Sequence, residues 1–127
     1  MTSAFGDQKV PMMTSANNVG EGWHPIIREL EKKLNALDPE YELDQVKEKF
    51  GGLRYYAHTT KDGIVVDQFQ YLIDEAEEQT FHICEMCGEP GECHATTGLS
   101  TWLKTLCPRH RAEDEERYTA ERKRLST

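Results

Sequence analysis

The chain has 127 residues, 15 of them basic and 23 acidic, for a formal net charge of -8. That length allows one modest core of a size that commonly gains stability from an added staple such as a metal, and the acidic balance disfavours whole-surface attraction to nucleic acid or anionic lipid. No apolar run approaches the roughly 20 residues of a membrane span, and residues 1–20 lack the charged-then-apolar order of a signal peptide, so a cytoplasmic protein is expected.

Residues 1–20 are rich in Ser, Thr, Asn and Gly without sustained periodicity, the composition of a flexible lead. From Trp23 the pattern changes. Trp23, Ile26, Ile27, Leu30, Leu34 and Leu37 recur at helical spacing, Pro25 is tolerated in a first turn, and Asp38-Pro39 ends the helix.

The stretch from Tyr41 to His58 contains Gly51-Gly52, which reads as the two-residue turn of a hairpin with Phe50 facing Leu53. A regular register then sets Lys49 opposite Arg54, Glu48 opposite Tyr55, Lys47 opposite Tyr56, Val46 opposite Ala57 and Gln45 opposite His58. One face carries Phe50, Leu53, Tyr55, Val46 and Ala57, with Glu48 as a misfit, and is expected to pack on the first helix. The other carries Gln45, Lys47, Lys49, Arg54, Tyr56 and His58. A competing reading makes residues 39–50 a helix capped by Asp38 and stopped by Gly51, with Leu43, Val46 and Phe50 on one side; the hairpin is preferred.

A second helix follows, with Val66, Phe69, Ile73 and Ala76 on one stripe. The acidic run Asp74, Glu75, Glu77 and Glu78 near its end opposes the helix dipole.

Cys84-x-x-Cys87 and Cys107-x-x-His110 are two ligand clips separated by residues 88–106, a gap of 19. Zinc prefers four soft or borderline donors at tetrahedral corners, and this spacing describes a zinc ribbon. Gly88, Pro90 and Gly91 supply the tight turn of the first clip, and Ser100 to Leu106 return as a strand to Cys107. Four filled corners leave no position for water, so the Zn2+ is expected to be structural. Cys93 and His94 lie within the loop and are competing ligands, able to replace a clip residue or hold a second ion. The alternative for Cys93 is a small apolar filler or an exposed thiol.

Residues 109–124 read as a charged terminal helix in which Glu113 and Arg117, and Arg117 and Glu121, sit four apart. Its few apolar residues leave it projecting into solvent or awaiting a partner. The expected fold is thus α+β: a helix packed on a β-hairpin, a second helix, a zinc ribbon and a charged C-terminal helix. Its divisions are a flexible lead at 1–20, an α+β core at 21–80, the ribbon at 81–110 and the last helix at 111–127.

Two functional classes follow. In the first, the polar hairpin face binds, because Lys49 opposite Arg54 is repulsive until an anion lies between them. A nucleotide phosphate suits the two cations and Tyr56 offers a ring for stacking, while the carboxylates of a partner protein suit them equally. The competing view is a solvated face neutralised by the chain's own acidic helix. A protein partner is preferred, since the net charge opposes nucleic acid and the terminal helix offers a recognition surface.

The second class is catalytic. No phosphate-binding Gly-x-x-x-x-Gly-Lys loop, Gly-x-Ser-x-Gly elbow or His-Glu-x-x-His pair is present, and His24, His58 and His82 are isolated. The stretch Cys84 to His110 resembles the zinc-supported core of His-Asn-His nucleases, and that resemblance implies a catalytic role for His94. No Asp-His or His-His pair precedes the loop, and no Asn or His after Cys107 completes a catalytic metal site, so hydrolysis has no evident agent.

The string from Gln45 to Tyr56, QVKEKFGGLRYY, followed by Cys84-Glu85-Met86-Cys87-Gly88 and Thr105-Leu106-Cys107, is also similar to a family of small bacterial and phage proteins of uncharacterised activity. The likeness covers roughly Trp23 to His110. It implies a strand-turn-strand before a zinc ribbon and hints, through phage carriage, at a host-interaction or anti-defence role.

Overall fold

The computed structural model describes residues 19–95 and 103–125. A short 3-10 turn, Glu21–Trp23, leads into helix α1, His24–Leu37. Strands β1, Glu42–Lys49, and β2, Gly52–His58, form an antiparallel hairpin, followed by helix α2, Ile64–Thr80. A second hairpin, β3 (Glu92–Ala95) and β4 (Leu103–Leu106), precedes helix α3, Pro108–Leu125. The architecture is α+β, with the hairpin rather than the competing helix over residues 42–49. Among the described residues no helix is long and apolar enough to cross a membrane.

Helix α1 buries Ile27, Leu30 and Leu34, and Trp23 at its head is fully enclosed. It stops where Asp38 turns extended at φ -154°, as the residue before a proline must. Asp38 is more than a helix breaker. Its buried carboxylate accepts from the N–H groups of Glu40 (3.0 Å) and Thr60 (2.6 Å) and from the hydroxyls of Thr59 (2.7 Å) and Thr60 (2.9 Å). Burial alone would raise its pKa, but these donors outweigh burial and hold it down at about 2.

The main core joins α1, α2 and one face of the β1–β2 hairpin through Trp23, Ile27, Leu34, Val46, Leu53, Tyr55, Phe69 and Ile73. The helix lying along β2 is α2 rather than α1, which packs on α2 instead. The cause is visible in the hydrogen bonds. The outward N–H groups of Leu53 and Tyr55, unpaired in a two-stranded sheet, donate to Thr80 Oγ1 (3.0 Å) and Glu77 Oε2 (2.9 Å) of α2. Within the core Tyr41 and Tyr55 share a hydroxyl-to-hydroxyl bond of 2.9 Å, and Tyr41 meets Phe69 edge to face.

The hairpin register differs from expectation by two residues. Lys49 faces Gly52, Glu48 faces Leu53, Lys47 faces Arg54 and Val46 faces Tyr55; beyond an irregularity between Leu43 and Gln45, Glu42 faces His58. The turn is Phe50-Gly51, both with positive φ (57° and 85°), and not Gly51-Gly52. Three contacts pin it there. Glu48 Oε2 accepts the Gly51 N–H at 2.8 Å, Thr105 Oγ1 donates to the Gly51 carbonyl at 2.6 Å, and the Phe81 ring occupies the space where a Gly52 side chain would stand. A shift of two keeps every strand residue on its face, so only Phe50 leaves the apolar set; it is 60% exposed at the tip.

Two boundaries also move. Val19 and Gly20 belong to the folded body, Val19 being buried in the core, while residues 1–18 lie outside the described region. Helix α3 begins at Pro108, so the second Cys-x-x-His clip and the terminal helix overlap. Along α3 Arg111 pairs with Glu115 and Arg117 with Asp114; the side chain of Glu121, expected to pair with Arg117, lies outside the described residues. Of the expected return strand, residues 100–102 lie outside the described region.

Asp38 gives a test of the core's closure. Asp38→Ala strands buried donors and should lower stability by about 3 kcal/mol in urea titrations. With a folded pKa near 2 against an ordinary 3.8, the wild-type contribution is fully present above about pH 4 and fades as pH falls towards 2; the variant should lack that part of the acid dependence.

Candidate metal centre

The first clip is built by a tight turn after α2. Cys84 N–H donates to the Glu89 carbonyl (2.7 Å), Gly88 N–H returns to the Cys84 carbonyl (2.9 Å), and Gly88 sits at φ 85°. Glycine suits that left-handed position because it carries no Cβ. Glu85 N–H then reaches the carbonyl of Thr105 on β4 (3.0 Å), which fixes the first clip beside the second.

The second clip is a helix start. Arg111 N–H bonds the Cys107 carbonyl at 2.8 Å, and His110 N–H points at Cys107 Sγ at 3.5 Å, so the sulfur takes the place of an N-cap oxygen. Pro108 at the first helical position gives up no hydrogen bond. That backbone N–H, with the His110 side chain and the neighbouring sulfurs, holds the Cys107 thiol down at about 6. At Cys87 the Glu89 N–H favours the thiolate, but burial and the neighbouring thiols of Cys84 and Cys107 push its pKa up.

The donor atoms of Cys84, Cys87, Cys107 and His110 all lie within 4.8 Å of one another. Cys87 Sγ and Cys107 Sγ are 3.7 Å apart, far beyond a disulfide bond, and all four cysteines are free. His110 Nδ1 is 3.5 Å from Cys84 Sγ and 3.3 Å from Cys107 Sγ. Metal–sulfur bonds of about 2.3 Å and metal–nitrogen bonds of about 2.0 Å at tetrahedral angles place donors roughly 3.5–3.8 Å apart. The cluster therefore has the donor set of a tetrahedral metal site, and these three of its six separations lie near the edge lengths of one. Among the described residues it is the one group of three or more His, Cys, Asp or Glu side chains arranged to share an ion.

Cys93 and His94 stand outside this cluster. Both are on β3: Cys93 is exposed with its sulfur 3.8 Å from the Phe50 carbonyl, and His94 Nδ1 lies 3.0 Å from the Ala95 carbonyl.

The seat of the first clip escaped sequence reasoning. Gly22 N–H donates to the Glu85 carbonyl (2.8 Å), Trp23 Nε1 to the Ile83 carbonyl (2.8 Å) and Gly20 N–H to Glu85 Oε2 (3.1 Å). A Cβ on Gly22 would stand 2.1 Å from the Cys84 carbonyl oxygen and 2.5 Å from Gly88 N. Gly20-x-Gly22-Trp23 before a helix was the available signal: small residues beside a large buried ring mark a close backbone approach.

The hairpin face carries Gln45, Lys47, Lys49, Arg54, Tyr56 and His58 as expected, but with different neighbours. Lys47 is directly opposite Arg54, with its Nζ 5.7 Å from the Tyr56 ring centre, and Lys49 Nζ is 5.5 Å from that of Phe50. Gln45 faces Tyr56, which is 41% exposed. His58 is held by Asp44 (2.9 Å) and Glu42 (3.3 Å), which raise its pKa. Glu77, raised by burial, is drawn back down by Tyr55 N–H and by Arg54.

Comparison with protein-family models, with curated proteins and with solved structures returns no match for this chain.

Gly22→Ala tests the seat. The methyl group meets backbone on two sides, so the thermal midpoint should fall by the equivalent of about 3 kcal/mol; an unchanged midpoint would show that residues 20–23 do not rest on the clip.

Proposed function

We propose that this chain is a non-catalytic zinc-binding protein that acts by docking a partner protein on the solvent face of the β1–β2 hairpin. The observation that carries the zinc assignment is the Cys3His cluster, four donor atoms within 4.8 Å of one another with sulfur–sulfur and sulfur–nitrogen separations of 3.7 and 3.5 Å, near the edges of a tetrahedral site. Thiolate and imidazole donors in tetrahedral array suit Zn2+. Four protein donors leave no place for a substrate or water, so its role is to hold the β3–β4–α3 unit together as a ribbon.

The docking face is argued from charge and exposure. Lys47 and Arg54 repel one another across the strands, and a carboxylate between them would relieve that cost. Phe50 at the hairpin tip and Tyr56 beyond Arg54 on β2 add exposed aromatic surface, the residue type that anchors protein interfaces. Phe50 holds this position in a left-handed backbone conformation, a cost of roughly 1 kcal/mol that burial of its ring in the fold does not offset. The occupant we favour is an acidic segment of a protein, because a peptide sets its carboxylates among short-range contacts that the exposed Phe50 and Tyr56 rings can meet, whereas a polyphosphate backbone depends on the long-range attraction that the chain's net charge of -8 opposes. The resemblance of residues 45–56 to bacterial and phage proteins suggests host interaction or anti-defence as the setting.

Native mass spectrometry of protein purified without chelator should show one zinc per chain, and Cys84→Ser should lose both the ion and the order of the β3–β4–α3 unit while the α1–α2 core stays packed, since binding energy at such a site is folding energy for the unit it closes. A metal-free, stably folded wild type would remove the ribbon.

The face is tested by titrating the zinc-loaded, 15N-labelled chain with a hexaglutamate peptide and, separately, with ATP. We expect the peptide to shift Lys47, Lys49, Arg54 and Tyr56, and Arg54→Ala to weaken it about tenfold. Response to ATP alone would transfer the face to a small anionic nucleotide ligand; response to neither would leave it a solvated surface.

A further inference from the structure

Helix α3 is charged along most of its length, yet Asp114 in its middle is buried, its side chain only 6% exposed. One carboxylate oxygen pairs with Arg117 one turn on, and the other, Oδ2, is buried with no hydrogen-bond partner. A buried carboxylate oxygen left unbonded is costly, and the surroundings indicate what it is for.

Asp114 follows His110 by four residues, so the two side chains stand on the same face of α3, one turn apart. Both line a cavity of about 70 Å³ that is also bordered by Lys104, Glu85 and Arg117. His110 directs Nδ1 at the sulfurs of Cys84 and Cys107. Its second nitrogen, Nε2, is then the ring's remaining polar atom. A histidine bound to a metal through one nitrogen ordinarily donates the other N–H to a carboxylate, carbonyl or water, which fixes the tautomer and makes the ligand more basic.

We infer that Asp114 is the positioning residue of the metal centre, its Oδ2 accepting the Nε2–H of metal-bound His110 across this cavity, which has room for a bridging water. Arg117 holds the other oxygen and keeps the carboxylate from turning outward. The competing partner is Lys104, which borders the same cavity from β4. Lys104 also stands close enough to Glu85 to lower that residue's raised pKa, so it already faces a carboxylate of its own.

This inference rests on the zinc reading proposed above, and the experiment separates the two. The zinc-loaded full chain is labelled with 15N and the His110 side chain is observed by long-range proton–nitrogen correlation. Zinc affinity is measured by competition with a chelator for wild type, Asp114→Asn, Asp114→Ala and Lys104→Gln. The expected result is a His110 protonated at Nε2, with that proton protected from solvent exchange. Asp114→Ala should weaken zinc binding about 10- to 100-fold and expose the proton, Asp114→Asn should do so less, and Lys104→Gln should leave both readouts unchanged. Should the alanine variant prove unfolded, the wild-type proton and the asparagine variant still decide. An Nε2 proton in free exchange in wild type, affinity in Asp114→Asn and Asp114→Ala within twofold of wild type, or an equal loss in Lys104→Gln each overturns the assignment while leaving the zinc site intact. A wild type that binds no zinc overturns both.

Discussion

The fit of Gly22 and Trp23 onto the Cys84–Gly88 turn joins two clusters of very unequal size. Among the described residues, the main core contains a dozen buried side chains, whereas the cluster under the second hairpin has Cys84, Leu106 and Cys107. Three side chains do little to offset the chain entropy of ordering β3 and β4. The smaller unit is held instead from two directions, by a four-donor cluster inside it and by backbone bonds from residues 20–23 outside it. Trp23 makes that second hold cooperative with the main core, since the same indole that fills the core donates to the Ile83 carbonyl.

A similar economy governs the acidic residues. Asp38, Glu48, Glu77 and Glu85 each accept a backbone N–H that no helix or strand ladder satisfies, from Thr60, Gly51, Tyr55 and Gly20 respectively. Backbone donors must be paired once buried, and a carboxylate reaches them from a distance that a second strand would otherwise have to cover. Part of the negative charge is thus internal scaffolding for a fold whose described sheets are two-stranded. Glu77 also shows why the acidic end of α2 is tolerated: one of its members is turned inward onto β2.

The helices, the hairpin and the four donors were legible in the sequence because each depends on local spacing. Leu30 and Leu34 recur at the helical period, and two-residue gaps bring paired ligands to one ion. The register was not legible, because it is decided by residues distant in the chain. Gly51-Gly52 offers two ways to make a turn, and local chemistry favours neither strongly. Thr105 bonding Gly51 and Phe81 covering Gly52 select one, across 54 and 29 residues of sequence. Asp114 was hidden for the opposite reason: in a helix with so many charges, nothing in composition distinguishes a carboxylate that is buried.

Thr105 ties these observations to a physical route between the metal centre and the hairpin face. Its carbonyl accepts the N–H of Glu85 in the first clip, its hydroxyl donates to Gly51 in the hairpin turn, and two residues later the chain supplies Cys107. The position of β4 is therefore set by the same donors that would hold the ion, and the turn that presents Phe50 and orders Lys47 against Arg54 is anchored to β4. Loss of the cluster would release Thr105 before it disturbed the α1–α2 core, because the core's apolar contacts do not pass through β4. The solvent face of the β1–β2 hairpin would then lose its register while the helices remained packed, which makes the Cys3His cluster a determinant of the shape of a surface it never touches.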